Sequence, residues 1–170
     1  MIATVFVDTN IFVYARDIAF PHKQSAARDW LDHLWRDRTG RVSMQVLSEY
    51  YSTMTRKLPP RLSPSIAWED VRALMAWRPQ PMDTPVLERG REIEQRFCLS
   101  WWDSLIVAAA QFQSCRLLLS EDLQHGLTID GLTIRNPFAL QANEANTAYA
   151  PDPVAAIQHR PRGRPRKKVR

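Results

Sequence analysis

The sequence predicts an α/β fold in which helices cover both faces of a mainly parallel sheet. Short apolar runs alternate with longer segments whose apolar residues recur at helical spacing. Acidic residues follow two of the apolar runs, at the ends of the predicted strands, where such sheets bind their ligands. With 170 residues, the chain is long enough for one domain with a sizeable core.

The predicted helices have apolar residues three and four positions apart. One follows the first strand, and the others span 22–38, 45–58, 63–77, 85–97 and 101–114. Gly40 is expected to end the first of these five, and Pro59 the second. Pro64 and Pro85 lie just inside the next two, the position that proline prefers at a helix start.

The predicted strands are short and apolar, and they lie at 2–7, 41–43, 82–84, 115–119 and 132–135. Beyond about residue 141 the sequence becomes polar and Pro-rich and loses its periodicity, which is typical of disorder. The sequence therefore predicts a domain over residues 1–140 and a disordered basic tail over residues 141–170.

The positive charge of the chain is concentrated in that tail. The net charge is +5, but residues 151–170 carry seven Lys or Arg and one acid, so residues 1–150 sum to −1. The predicted domain is nearly neutral, and the tail is expected to contact a polyanion.

Cysteine usage and hydropathy predict the compartment. Cys98 and Cys115 lie in apolar surroundings, which predicts buried free thiols and suits a reducing cytoplasm. Neither a signal peptide nor an apolar run near the roughly 20 residues of a membrane helix is visible. We therefore expect a soluble, cytoplasmic protein.

Four acids are candidate site residues, although each also has an ordinary structural explanation. Asp8 could cap the helix that follows it, and Glu49 could be a solvated residue on a helix surface. Asp103 completes a Ser-x-x-Asp capping box. Asp122 could belong to a turn, and its neighbour Glu121 competes with it for any acidic role.

Considered together, the acids predict a metal site. Carboxylates crowded at one end of a sheet repel one another unless a cation neutralises them. Oxygen ligands without Cys or His favour Mg²⁺ or Mn²⁺ over Zn²⁺. The sequence contains neither a glycine-rich phosphate loop nor a recognisable motif for nucleophilic catalysis by Ser or Cys.

Four segments in this order and at this spacing resemble a known family. They are Val7-Asp-Thr-Asn10, Val46-Leu-Ser-Glu-Tyr50, Trp102-Asp-Ser-Leu-Ile-Val-Ala-Ala109 and Leu118-Leu-Ser-Glu-Asp122. Over about residues 2–138 the chain resembles the PIN-domain ribonucleases of bacteria, specifically the VapC-type toxins of toxin–antitoxin pairs.

This resemblance implies a three-layer α/β/α fold and endonuclease activity on single-stranded or structured RNA. It assigns catalysis and binding of one or two Mg²⁺ or Mn²⁺ ions to Asp8, Glu49, Asp103 and Asp122. Asn10 and Ser120 match auxiliary polar positions. The resemblance also implies an antitoxin that inserts a segment into the active-site groove, and a homodimer.

The tail contains a second motif. Arg162, Gly163, Arg164 and Pro165 form an Arg-Gly-Arg-Pro segment flanked by further basic residues, which resembles an AT-hook. Glycine would let the backbone lie deep in the minor groove of A·T-rich DNA, and proline would keep it extended. The alternative is a polybasic tail that binds any nucleic acid through counterion release.

Three other functions compete with the ribonuclease interpretation. The first is a non-catalytic, PIN-like protein that binds nucleic acid. The second is a phosphatase with Asp8 as nucleophile, which is disfavoured because the haloacid-dehalogenase pattern wants an acid where the chain has Asn10. The third, a metal-dependent DNA nuclease, is chemically closest.

Overall fold

A computed structural model describes residues 4–139, which form six α-helices around a five-stranded sheet. The helices are α1 (Thr9–Arg16), α2 (Pro21–Asp37), α3 (Met44–Arg56), α4 (Pro64–Leu74), α5 (Thr84–Phe97) and α6 (Trp101–Phe112). The strands are β1 (Val5–Val7), β2 (Gly40–Arg41), β3 (Leu117–Leu119), β4 (Thr128–Ile129) and β5 (Leu132–Arg135). A short 3-10 helix, Met75–Trp77, extends α4.

The strand order is β2-β1-β3-β5-β4, and only the β4–β5 pair is antiparallel. The mainly parallel sheet and its three-layer α/β/α arrangement confirm the predicted fold class. β1 is fully buried, and every residue of α6 from Ser104 to Ala110 is buried as well. This burial explains why both segments are apolar without alternation.

The register of the sheet places the candidate site. Val7 pairs with Leu119, and Leu119 pairs with Arg135, so three parallel strands end at the same level. The backbone N–H of Asp8 donates to the Leu119 carbonyl at 3.0 Å, and that of Ser120 donates to the Arg135 carbonyl at 3.1 Å. The residues that follow β1 and β3 are therefore neighbours at the carboxyl edge of the sheet.

Side-chain caps explain where most of the helices begin. The five caps each accept a hydrogen bond from a backbone N–H in the first turn, and they are Asp8, Ser43, Ser63, Asp83 and Ser100. The predicted helix starts at Pro64 and Pro85 are confirmed, since each proline lies in the first turn.

The expectation that Gly40 ends a helix is wrong. α2 ends at Asp37, its C-cap residue Arg38 adopts the left-handed conformation (φ 57°), and Gly40 opens β2. A Cβ atom at Gly40 would lie 2.6 Å from ring atoms of Trp77. The glycine is therefore required by close packing against an indole rather than by a helix terminus.

Two other predictions about elements and burial are corrected. Residues 82–84 are not a strand, because Asp83 caps α5, and the nearby pairing is an isolated bridge between Ser43 and Gln80. Strand β4, only two residues long, was not predicted. Cys115 is buried as expected, but Cys98 is exposed at the end of α5.

Two expectations concern the ends and the environment of the chain. The predicted tail over residues 141–170 lies outside the described residues, so its disorder stays a prediction. Among the helices within residues 4–139, none is long and apolar enough to cross a membrane.

Candidate active site

Asp8 lies at the centre of the carboxyl edge, with only 7% of its surface exposed. One carboxylate oxygen accepts from the backbone N–H of Thr9 at 2.7 Å. The other accepts from the Ser120 hydroxyl at 2.7 Å and from the Asn10 amide at 3.0 Å. Asp8 therefore caps α1, as its ordinary explanation proposes, and also lies among the other candidate residues.

Asn10 connects the two strand-end acids. Its amide nitrogen donates to Oδ2 of Asp8 at 3.0 Å and to Oδ2 of Asp122 at 3.2 Å. Its amide oxygen accepts from the backbone N–H of Glu121 at 3.3 Å. The Ser120 hydroxyl, fully buried, also accepts from the backbone N–H of Asp122 at 3.2 Å. Asn10 and Ser120 thus fix the segment after β3 against the start of α1.

Glu49 is half-buried and is not the fully solvated surface residue of its ordinary explanation. Its two carboxylate oxygens accept from the Thr9 hydroxyl at 3.1 Å and from the Gln45 amide at 3.0 Å. Gln45 is one helical turn earlier on α3 and is buried. These contacts hold the Glu49 carboxylate close to the start of α1, beside Asp8.

Asp103 lies in the first turn of α6. The Ser100 hydroxyl accepts from the Asp103 backbone N–H at 3.1 Å and donates to the Asp103 carboxylate at 2.6 Å. The capping interaction expected from the sequence is therefore present. Burial raises the pKa of Asp103, the Ser100 hydrogen bond opposes this rise, and the nearby Asp122 carboxylate adds to it.

Glu121, the competitor of Asp122, is held by a cation. Lys23 of α2 forms an ion pair with the Glu121 carboxylate and donates to the Tyr14 hydroxyl at 3.2 Å. The Lys23 ammonium also lies 4.5 Å from the Tyr14 ring centroid and 5.4 Å from that of Phe138. Glu121 is thus bound on the α2 side, whereas Asp122 contacts Asn10.

The electrostatics of the edge are those of carboxylates without a counter-charge. Burial raises the pKa of Asp8 to about 7, hydrogen bonds from Ser120 and Thr9 oppose the rise, and the Asp122 and Glu49 carboxylates add to it. Within residues 4–139, no Lys or Arg forms an ion pair with any of the four candidate acids. The site is therefore electrostatically unbalanced in favour of a cation.

These carboxylates do not, however, converge on one point. Across the part of the chain that the structure describes, no three Asp, Glu, His or Cys side chains approach closely enough to hold an ion. The donor set is nevertheless all oxygen, which suits Mg²⁺ or Mn²⁺. The carboxylates would have to move closer together to share one ion.

The sequence did not single out Gln45 or assign Thr9 a role in the site. Both contact Glu49. The four-residue spacing between Gln45 and Glu49 on one helix face was a usable signal. The contact of Thr9 joins residues 40 positions apart and needed the fold.

The family model of the PIN domain matches residues 5–126, and the chain belongs to that family. A search of curated protein sequences finds no match. A solved toxin–antitoxin complex from Klebsiella pneumoniae has a TM-score of 0.57 at 18% identity, over 79% of this chain and 98% of the other. VapC20 from Mycobacterium tuberculosis, a toxin that cleaves the sarcin-ricin loop, has a TM-score of 0.53 at 18% identity. The match covers 68% of this chain and 87% of VapC20. At this identity the two structures establish a shared fold.

Proposed function

We propose that this protein is a divalent-metal-dependent endoribonuclease and the toxin of a VapC-type toxin–antitoxin pair. The observation that carries the proposal is the network at the carboxyl edge, in which Asn10 bridges Asp8 and Asp122 and buried polar side chains position Glu49. PIN membership and the toxins that share the fold support the same class of protein.

We assign Asp8, Glu49, Asp103 and Asp122 as the residues that hold Mg²⁺ or Mn²⁺. A bound ion would lower the pKa of a water molecule and polarise the scissile phosphate. It would also offset the repulsion between these acids and the RNA backbone. This repulsion makes the acids unsuited to a polyanion when no cation is present.

The other residues of the network position the acids. Asn10 and Ser120 orient the Asp8 and Asp122 carboxylates, and Gln45 and Thr9 orient Glu49. Since such polar partners fix the orientation of metal ligands, we expect each to affect metal affinity without contacting the ion.

Partners follow from the same class of protein. One of the solved structures that share the fold is a toxin–antitoxin complex, which supports an antitoxin as a partner of this chain. Insertion of an antitoxin segment into the active-site groove stays a prediction. A homodimer stays a prediction. The tail segment Arg162-Gly-Arg-Pro165, outside the described residues, is proposed to contact nucleic acid, with A·T-rich DNA as the specific hypothesis.

Two of the competing functions make different demands on Asp8. A phosphatase would need Asp8 as an accessible nucleophile, but the residue is buried and both of its oxygens accept hydrogen bonds. A DNA nuclease would use the same acids, so the substrate has to be tested directly.

The test compares a single-stranded RNA oligonucleotide with DNA of the same sequence, each incubated with the full chain in Mg²⁺ or Mn²⁺. We expect the RNA to be cleaved and the DNA to remain intact. The matched control is D103N, which should cleave neither. Equal cleavage of DNA would replace the ribonuclease proposal with a DNA nuclease, and cleavage of neither by the wild type would support the non-catalytic alternative.

A further inference from the structure

Trp102 is a large exposed aromatic side chain directly beside the proposed active site. It is 59% exposed and immediately precedes Asp103. Its neighbour Trp101 is partly buried and packs against the hydrophobic core, so it is Trp101 that anchors this end of α6. Among the described residues, Trp102 has neither a ring-stacking partner nor a hydrogen bond from its indole N–H. More than half of the indole surface is therefore free to contact a ligand.

The backbone of Trp102 is fixed relative to a second acid. The buried Gln45 amide donates to the Trp102 carbonyl at 3.2 Å and to the Glu49 carboxylate at 3.0 Å. Trp102 is thus joined to Asp103 by one peptide bond and to Glu49 through a single side chain. The backbone that carries this exposed indole is therefore held within a few residues' reach of two of the proposed site acids.

An acidic edge has to obtain binding energy from uncharged contacts as well as from a cation. The carboxylates repel phosphates, so the backbone of a nucleic acid contributes little by itself. Unpaired bases stack on exposed aromatic rings, and this stacking tolerates any sequence because every base has a flat face. The Trp102 indole offers such a surface beside the acids.

We propose that Trp102 stacks on an unpaired base of the RNA next to the phosphate that is cleaved. The indole would select single-stranded or looped substrates, because a base inside a duplex cannot be covered by the ring. This inference rests on the proposed function. RNA is favoured over a protein partner because Trp102 directly precedes Asp103 and its carbonyl shares the Gln45 amide with Glu49, two of the acids that would act on the phosphate.

The first test is steady-state cleavage of a single-stranded RNA by the full chain in Mg²⁺. We expect W102A to raise KM by roughly 5- to 100-fold, the usual effect of removing a stacking ring, with kcat little changed. W102F should restore most of the affinity, whereas W102L, which is apolar but has no ring, should not. F112A is the matched control, because Phe112 is 48% exposed at the opposite end of α6, and its KM should equal that of the wild type.

The second test separates base stacking from other contacts. The cleavage-deficient D8N protein and D8N/W102A are titrated with a 12-nucleotide oligoadenylate and with an abasic ribose-phosphate oligomer of equal length. Loss of Trp102 should weaken binding of the oligoadenylate and leave binding of the abasic oligomer unchanged. Both proteins contain the basic tail, so any contribution of the tail to oligomer binding is the same in both.

Several results would overturn the inference. KM equal to that of the wild type in W102A, W102L matching W102F, or equal weakening for both oligomers would each exclude base stacking. If W102A cleaves RNA normally but escapes inhibition by an antitoxin, the ring belongs to a protein interface instead. A wild type that cleaves no RNA would refute the proposed function itself, whereas normal cleavage with an unchanged KM would refute only the role of Trp102.

Discussion

Asn10 places one amide group between two carboxylates, and this arrangement distinguishes Asp122 from Glu121 at the residue scale. The Asp122 carboxylate accepts from Asn10, whereas Glu121 is paired with Lys23. Although partial burial of the ammonium opposes the effect, hydrogen bonds to Glu121 and Tyr14 raise the pKa of Lys23, which keeps its charge. A neutralised Glu121 is a poor candidate for a metal ligand.

We therefore predict opposite outcomes for two adjacent substitutions. D122N should reduce RNA cleavage by at least roughly 100-fold, because it removes a proposed ligand. The cleavage rate of E121Q should stay within a few-fold of the wild-type rate, because the Glu121 carboxylate is paired with Lys23. RNA cleavage rates of the two variants and the wild type are measured at saturating Mg²⁺. If E121Q is the inactive protein and D122N the active one, the assignment of the fourth acid is reversed.

The buried Asp8 carboxylate predicts a conflict between stability and function. Because its pKa is raised from 3.8 to about 7, the folded protein binds this proton more tightly than the unfolded chain does. Stability therefore falls as the pH rises from about 4 to about 7, and the full penalty remains above that range. In the proposed function, this penalty is the cost of holding an ionised carboxylate for a cation.

The corresponding prediction is that the stability of D8N relative to the wild type rises with pH. An amide does not titrate, but its N–H donors would face the donors that surround Asp8, so the change between pH 4 and pH 8 is the informative quantity. In the presence of EDTA, the free energy of unfolding by urea of D8N minus that of the wild type should be larger at pH 8 than at pH 4 by roughly 1–4 kcal/mol. A difference that is the same at both pH values would show that the ionised carboxylate is not destabilising.

At the scale of an element, Ser100 both begins α6 and binds the Asp103 carboxylate. Ser63 caps α4 in the same way, by accepting from the N–H three residues later, but it contacts none of the proposed site acids. Both serines therefore cap a helix, but only Ser100 contacts a proposed site acid, so Ser63 is a matched control for Ser100.

We predict that S100A and S63A each cost about 1 kcal/mol of stability, the usual effect of losing a helix cap. Only S100A should also weaken Mn²⁺ binding, by roughly 10-fold, because Asp103 loses the hydroxyl that orients it. Urea unfolding and Mn²⁺ titration of both variants measure the two effects. Equal Mn²⁺ affinities would show that the Ser100 hydroxyl serves only the helix.

The sequence predicted elements well where the local signal was strong. The apolar run of α6 and the prolines at the starts of α4 and α5 need no tertiary information. Gly40 was wrongly predicted to end a helix, because what requires a glycine there is close packing against the Trp77 ring, which comes from a distant segment. β4 was missed, since two residues are too few to show a period.

For the candidate site, the strand-end position of Asp8 was visible from the sequence, and so was the capping box of Asp103. Separating Asp122 from Glu121 required the positions of two partners: Lys23, 98 residues from Glu121, and Asn10, 112 residues from Asp122. Long-range partners of this kind leave no local pattern.

At the scale of the whole molecule, the basic tail is expected to act separately from the nearly neutral domain. We predict that R162A/R164A loses any preference for A·T-rich over G·C-rich duplex DNA at fixed salt. R166A/K168A removes the same charge outside the Arg-Gly-Arg-Pro segment and should weaken binding to both duplexes equally. Filter binding or fluorescence anisotropy measures the preference. If the wild type binds both duplexes equally, the tail is a general polyanion contact.

If Asp8, Glu49, Asp103 and Asp122 hold the divalent ion with which the protein cleaves RNA, cleavage must depend on Mg²⁺. The cleavage rate of a single-stranded RNA is measured as Mg²⁺ is removed with EDTA and then restored, for the wild type and D8N. We predict that cleavage by the wild type disappears and returns in a saturable manner, and that D8N is inactive throughout. Cleavage that persists unchanged in EDTA, or in D8N, would contradict a metal-dependent mechanism at these acids.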